Sequence, residues 1–184
     1  MSNRREQIEA AAVRAIKRGG LHSVSFRTLA EEVGVKSASV HYHFPTKDDL
    51  AKALVSDYTA QFQVELTEIG AKGNSLTYKL ERLVDLFEAR LRDKDLCLCA
   101  MMAAELTALN DQTRRELTAF VATAEDWLER QFEQHSEELA LDLTASQFAQ
   151  LFLASLEGAL LFDRIDGDSV RLGAVRAFVK ALTG

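Results

Sequence analysis

The stretch FRTLAEEVGVKSASVHYHFPTKDDL, Phe26 to Leu50, holds the only proline of the 184-residue chain, Pro45, and sets His41, Tyr42 and His43 side by side. A helix-turn-helix needs three things: a small residue where the second helix crosses the first, a turn residue that accepts positive φ four positions on, and an apolar anchor six beyond that. Ala30, Gly34 and Val40 stand at those places. The spacing predicts a helix capped by Ser25, with Leu29, Ala30 and Val33 inward, that ends at Gly34. A second short helix starts at Lys36 or Ser37 and stops before Pro45, because the residue preceding a proline is driven out of the helical region. With Val35 and Val40 turned inward, Ser37, Ser39, His41 and Tyr42 look outward. Their short hydroxyl and aromatic groups suit close approach to base edges and phosphates.

Upstream, Arg4 to Lys17 carries Ile8, Ala12, Ala15 and Ile16 on one stripe and meets a stop signal at Gly19-Gly20. Downstream, Thr46 caps a long helix with Asp48 and Asp49 in its first turn, running to about Ile69. After the polar break GAKGN, apolar periodicity predicts helices near 75–93, 96–109, 111–138, 144–164 and 168–182. No strand pattern and no repeat emerges, so the expected fold is all-α, with about nine helices.

Charge divides along the chain. Residues 1–52 carry nine Lys/Arg against six Asp/Glu, whereas the remainder carries thirteen against twenty-two, within a formal net charge of −6. A basic N-terminal module on an acidic body is the distribution expected when one end meets phosphate. With 47% apolar residues the chain can bury a sizeable core. The start, MSNRREQIEA, lacks the apolar core of a signal peptide, and no run of about 18 apolar residues suggests a membrane span. The expectation is a cytoplasmic protein without a membrane partner. Catalysis finds no support. Three of the four histidines lie in the basic module, and His135 falls in a charged run, EQHSEE, that reads as a solvated helix end. No Gly-rich phosphate loop, metal cluster or cofactor motif is present. Cys97 and Cys99, two apart in a helical context, project to different sides and do not suggest a disulfide or zinc pair.

The run TLAEEVGVKSASVHYHFPTKDDL resembles the signature of TetR-type (TetR/AcrR) transcriptional repressors, in which a helix-turn-helix is followed by a Tyr-x-Phe and then a Ser/Thr-Lys-acid-x-Leu. Here these are Tyr42, Phe44, Thr46, Lys47, Asp48 and Leu50. The likeness is strong over about residues 8–52, and CLCAMMAAE is similar to the sixth-helix segment of one branch. The resemblance implies a helix-turn-helix DNA-binding domain over 1–50 and a helical ligand-binding and dimerisation domain over 51–184. It implies Thr28, Tyr42 and Lys47 on phosphate, with Arg27 beside them, and Lys36, Ser37, Ser39, His41 and His43 toward the groove. Ala38 stands where many members have glycine. It also implies that Phe62, Tyr78, Phe87, Met101, Met102, Phe120, Trp127 and Phe152 sit on helices wrapped around a small-molecule pocket, to which Glu105 is added as a polar group in an otherwise apolar turn.

The last two predicted helices carry more apolar residues than one buried stripe needs, so a second copy is expected to cover the surplus. Phe148, Ala154, Ser155, Gly158 and Leu161, with Ala174 and Phe178 from the final helix, are the expected dimer interface. The function read from the chain is therefore a repressor released from a palindromic double-stranded operator by a small-molecule inducer. The alternatives are a redox or electrophile sensor of the same fold acting through Cys97 or Cys99, and a helical adaptor with no DNA role.

Overall fold

The computed structural model describes residues 3–139 and 141–182, and among these it contains nine α-helices and no strand. They are α1 (Arg4–Gly19), α2 (Phe26–Val33), α3 (Ser37–His43), α4 (Lys47–Lys72), α5 (Leu76–Arg92), α6 (Leu98–Ala103), α7 (Asp111–Gln134), α8 (Ala145–Asp166) and α9 (Val170–Leu182). Short 3-10 turns lie at Leu21–Ser23, Leu106–Ala108 and Ser136–Glu138. The helix expected over 96–109 is broken: Glu105 (φ −108°, ψ 29°) leaves the helical region, and the backbone closes tighter i→i+3 bonds around it. The chain forms two compact units, Met1–Ala60 with Cys97–Phe120, and Gln61–Leu96 with Val121–Gly184. Helices α4 and α7 each contribute residues to both.

In the first unit, α1 opens with a reciprocal cap. The Asn3 side chain accepts from Arg5 N–H at 3.3 Å, and Asn3 N–H donates to Glu6 Oε2 at 3.1 Å. Its buried face is Ile8, Ala11, Ala12 and Ile16, with Ala15 at the edge, and Arg14 pairs with Glu32 of α2 at 2.7 Å. Helix α2 starts on the Ser25 hydroxyl, which accepts from Thr28 N–H at 3.1 Å. It ends at Gly34 in the left-handed region (φ 72°, ψ 39°), where Val35 N–H donates to Ala30 O at 2.9 Å and Gly34 N–H to Glu31 O at 3.3 Å. That double closure is the Schellman geometry. It turns the chain so that Val40, fully buried, anchors α3 beneath α2.

In the second unit, α5 starts on the Ser75 hydroxyl and α8 on a Thr144–Gln147 reciprocal cap. Phe132 of α7 stacks on Phe148 of α8 at 5.2 Å and meets Phe152 edge-on at 6.4 Å. Arg176 of α9 reaches Asp85 (2.6 Å) and Glu88 (3.2 Å) on α5. Burial disfavours that guanidinium's charge, but its two carboxylate partners outweigh this and hold its pKa above the ordinary arginine value. Asp163, fully buried near the end of α8, accepts from the N–H groups of Arg171 (2.9 Å) and Leu172 (2.8 Å) and from the Arg171 guanidinium (3.1 Å). One carboxylate thereby caps α9 and sets the α8–α9 turn.

Two sequence expectations need correction. His135 is half-buried rather than solvated: Nδ1 lies 2.8 Å from Gln131 O and Nε2 2.7 Å from Asn74 O, so the ring joins the end of α7 to the segment before α5. Helix α8 is long and apolar enough, by length and composition, to cross a membrane. Counting uninterrupted apolar residues missed it, because isolated polar residues break the run without lowering its average much. About two fifths of its most apolar window is buried inside the protein.

Because Gly34 sits at positive φ while a Cβ added there would meet nothing within 4 Å, its requirement for glycine is conformational rather than steric. Gly34→Ala should destabilise the chain by about 1–2 kcal/mol. Gly34→Asn should recover much of that loss, since Asn tolerates the left-handed region. Thermal melts of the three proteins check this.

Candidate nucleic-acid interface

The Gly34 turn and the Val40 anchor leave one side of α3 in solvent. Lys36, Ser37, His41 and Tyr42 are exposed, and Ser39 and His43 half-exposed. Tyr42 is 84% exposed, an unusual position for an aromatic side chain without a partner surface, and its ring touches His43 edge-on at 5.3 Å. His41 is less free than its exposure suggests, because its ring packs edge-on against Phe26 at 4.7 Å and Nδ1 lies 3.4 Å from Pro45 O.

Two helix starts flank this surface. At α2, the Thr28 hydroxyl donates to Ser25 O (2.9 Å) and lies 2.9 Å from the Ser25 hydroxyl, while Arg27 is exposed and only 4.0 Å from Glu31. At α4, Thr46 and Asp49 cap one another: Asp49 N–H donates to Thr46 Oγ1 (3.1 Å), and Thr46 N–H donates to Asp49 Oδ2 (3.0 Å). Lys47, half-exposed in the first turn, forms no ion pair among the described residues, and neither does Lys36. Helix starts present N–H groups and positive dipole ends, to which Arg27, Lys36 and Lys47 add full charges, so the surface favours phosphate. Sequence reasoning missed Arg5. Its guanidinium lies over the buried Phe44 ring at 5.2 Å, beside the α3–α4 turn, and its one signal was the tandem arginines of NRRE.

Glu105, expected at a ligand, has other partners. Oε1 accepts from Leu21 N–H at 2.7 Å, and Oε2 accepts from His22 N–H at 3.1 Å and lies 3.2 Å from His22 Nδ1. The carboxylate therefore caps the 3-10 turn leading into α2. Gly20 must be glycine here: it has φ 78°, and a Cβ would collide with the Glu105 carboxylate. Burial alone would raise the Glu105 pKa. The side-chain and backbone bonds of His22, the Leu21 N–H and the attraction of His22 together bring it below its usual value.

The remaining expected ligand residues divide between the units. Met101, Met102 and Phe120 lie in the first, and Phe62, Tyr78, Phe87, Trp127 and Phe152 in the second. Phe62, Phe87, Met102, Phe120, Trp127 and Phe152 are buried. In the second unit Arg90 lies over the rings of Phe62 (5.4 Å) and Phe87 (5.2 Å) and pairs with Glu65 at 2.9 Å. Of the expected dimer residues, Ala154, Ser155, Leu161, Ala174 and Phe178 are exposed and Gly158 half-exposed. Phe148 faces inward, because its place on α8 puts it against Phe132. Cys97 and Cys99 are buried thiols, the setting in which cysteines are inert.

Residues 8–54 match the family model described as bacterial regulatory proteins, tetR family. Over 119 residues the chain is 29% identical to the HTH-type nicotine-responsive transcriptional repressor HdnoR of Paenarthrobacter nicotinovorans. That match covers 65% of this chain and 61% of the repressor, less than two thirds of its length. The fold is similar to the crystal structure of a TetR-family transcriptional regulator from Agrobacterium tumefaciens, with TM-score 0.93 and 30% identity over 98% of both chains. It is also similar to that of a TetR transcriptional regulator from Legionella pneumophila, with TM-score 0.90 and 28% identity over 98% of this chain and 97% of the other.

Lys47→Ala should weaken binding to all duplex sequences and flatten the salt dependence by about 0.9 of a log–log unit, as loss of one phosphate contact requires. Fluorescence anisotropy across a salt series checks this. The Glu105 contact yields a pH prediction. A carboxyl held below its ordinary value stabilises the fold above the unfolded-state value, taken as 4.5, and loses that contribution as pH falls through the folded value. Glu105→Gln should melt lower than the parent at pH 7, with the gap narrowing toward pH 3.

Proposed function

We propose, starting from a chain that belongs to the tetR family of bacterial regulatory proteins, that it is a transcriptional repressor released from its operator by a small molecule. The observation that carries this reading is the exposed α3 face, set by the Gly34 turn and bracketed by the capped starts of α2 and α4. In this reading residues 1–50 read DNA. Lys47, Thr28 and Tyr42 meet phosphates, with Arg27 and Arg5 beside them, and Lys36, Ser37, Ser39, His41 and His43 face the major groove.

Residues 51–184 carry the ligand and dimer functions. The support for a homodimer is periodic. On α8, Leu151, Ala154, Ser155, Leu161, Phe162 and Ile165 are exposed, at helical spacing, and Gly158 is half-exposed among them. On α9 the matching stripe is Val170, Gly173, Ala174, Ala177, Phe178 and Ala181. Ile165 is 76% and Val170 68% exposed, an apolar patch that a second copy would cover. A two-fold pair of such hairpins buries both stripes and places two α3 helices on a palindrome with half-sites about 34–36 Å apart. Inducer acts by binding better to a dimer whose reading helices no longer match successive grooves, and by reciprocity operator weakens inducer. The nicotine response of the P. nicotinovorans relative makes nicotine the first compound to try.

A gel shift on the DNA flanking the protein's own gene should show a retarded complex that dissolves on adding inducer. Absence of any complex at low salt would sink the repressor reading. The interface has an equally direct test. Beyond its own helix backbone, a Cβ added at Gly158 would meet nothing within 4 Å, so this position is open on the single chain. Gly158→Arg should give monomers in sedimentation and loss of tight operator binding, because charge and bulk enter the seam. A dimeric Gly158→Arg protein would place the interface elsewhere.

A further inference from the structure

In the second unit a cleft of about 230 Å³ opens between α4 and α7. Gln63 and Leu66 line it from α4, and Asp126, Trp127 and Arg130 from α7. Trp127 is the chain's one tryptophan and, of the residues expected at a ligand, the one that lines this cleft. It is only 8% exposed, yet its indole N–H donates to no group among the described residues and is not sealed from solvent. A donor left open at the edge of a buried ring suits an acceptor oxygen brought from outside. The wall behind it is fixed: Gln131 Nε2 donates to Trp127 O at 3.2 Å, and Lys79 Nζ donates to Gln131 Oε1 at 2.7 Å.

The two charges beside Trp127 are also uncommitted. Asp126 and Arg130 stand four apart on α7, acid first, the order that favours an ion pair; Glu68 and Lys72 on α4 close such a pair at 3.2 Å. Asp126 and Arg130 form none, either with each other or with any other described residue. We propose that this cleft binds the zwitterionic backbone of a free α-amino acid. The planar Arg130 fork takes the carboxylate and Asp126 takes the ammonium. Trp127 N–H and the Gln63 amide add neutral donors for the carboxylate, and Leu66 gives the side chain an apolar contact. With an acid and a base in one lining, the cleft selects against a single charge: an amine meets Arg130, and a carboxylate meets Asp126. Its volume lies below the roughly 300–1,000 Å³ of drug-sized sites, which limits the occupant to a small molecule. The site shares no residue with the DNA-reading surface and does not depend on the repressor reading.

Titration of the full chain with L-valine and with L-glutamine tests this, read by calorimetry and by the fluorescence of Trp127, the one tryptophan present. Isovalerate and isobutylamine run alongside as valine analogues that lack the ammonium or the carboxylate. The amino acids should change Trp127 emission saturably with a Kd of about 1 mM or lower, and each analogue should bind at least about tenfold more weakly. Asp126→Asn and Arg130→Gln change exposed side chains and leave the core intact, and each should weaken L-valine binding about tenfold. The site is overturned if neither amino acid binds at about 10 mM, if either analogue binds as well as L-valine, or if the double variant titrates like the parent. Amino-acid binding by a protein that shifts no DNA would uphold the cleft and sink the repressor reading. A DNA shift without amino-acid binding would do the reverse.

Discussion

The left-handed backbone at Gly34 is the constraint on which the rest of the reading surface depends. Val35 and Gly34 N–H groups close onto Ala30 and Glu31 carbonyls only when φ is positive between them, and that closure sets where α3 leaves α2. Every later placement follows from it. Val40 goes under α2, so Ser37 and His41 stay at the surface and Tyr42 is left 84% exposed. A seven-residue helix has little stability of its own; α3 is held by this turn, by one buried valine and by Phe44 at its exit.

A second polar contact organises the first unit from a distance in sequence. Glu105 lies 84 residues from Leu21, yet its carboxylate satisfies two N–H groups of the 3-10 turn before α2. It does for that turn what Asn3, Ser25 and Thr46 do for α1, α2 and α4, with the difference that these three are local. The segment from Cys97 to Phe120 is tied to the helix-turn-helix by a charge-assisted bond as well as by packing.

This difference also explains what could be read from the chain alone. Local rules carried the helices of the N-terminal part: caps at Ser25 and Thr46, stops at Gly20 and Gly34, and the Pro45 boundary each depend on neighbours within a turn or two. The exposed stripes of α8 and α9 were legible too, since a surplus of apolar positions is a property of one helix. What failed was long-range. Glu105 read as a lone acid awaiting a ligand, His135 as solvated, and Phe148 as outward-facing, because their partners Leu21, Asn74 and Phe132 are 84, 61 and 16 positions away.

The Asp163 carboxylate has a consequence for whatever meets the α8–α9 face. By capping α9 with two backbone N–H bonds and one guanidinium bond, it fixes the angle between the two helices from inside the second unit. The α8–α9 turn is thus set before any encounter, and less hairpin freedom remains to be lost if this face associates. A face pre-organised in this way favours docking over rearrangement, so any assembly built on it would take its geometry from the fold of a single chain.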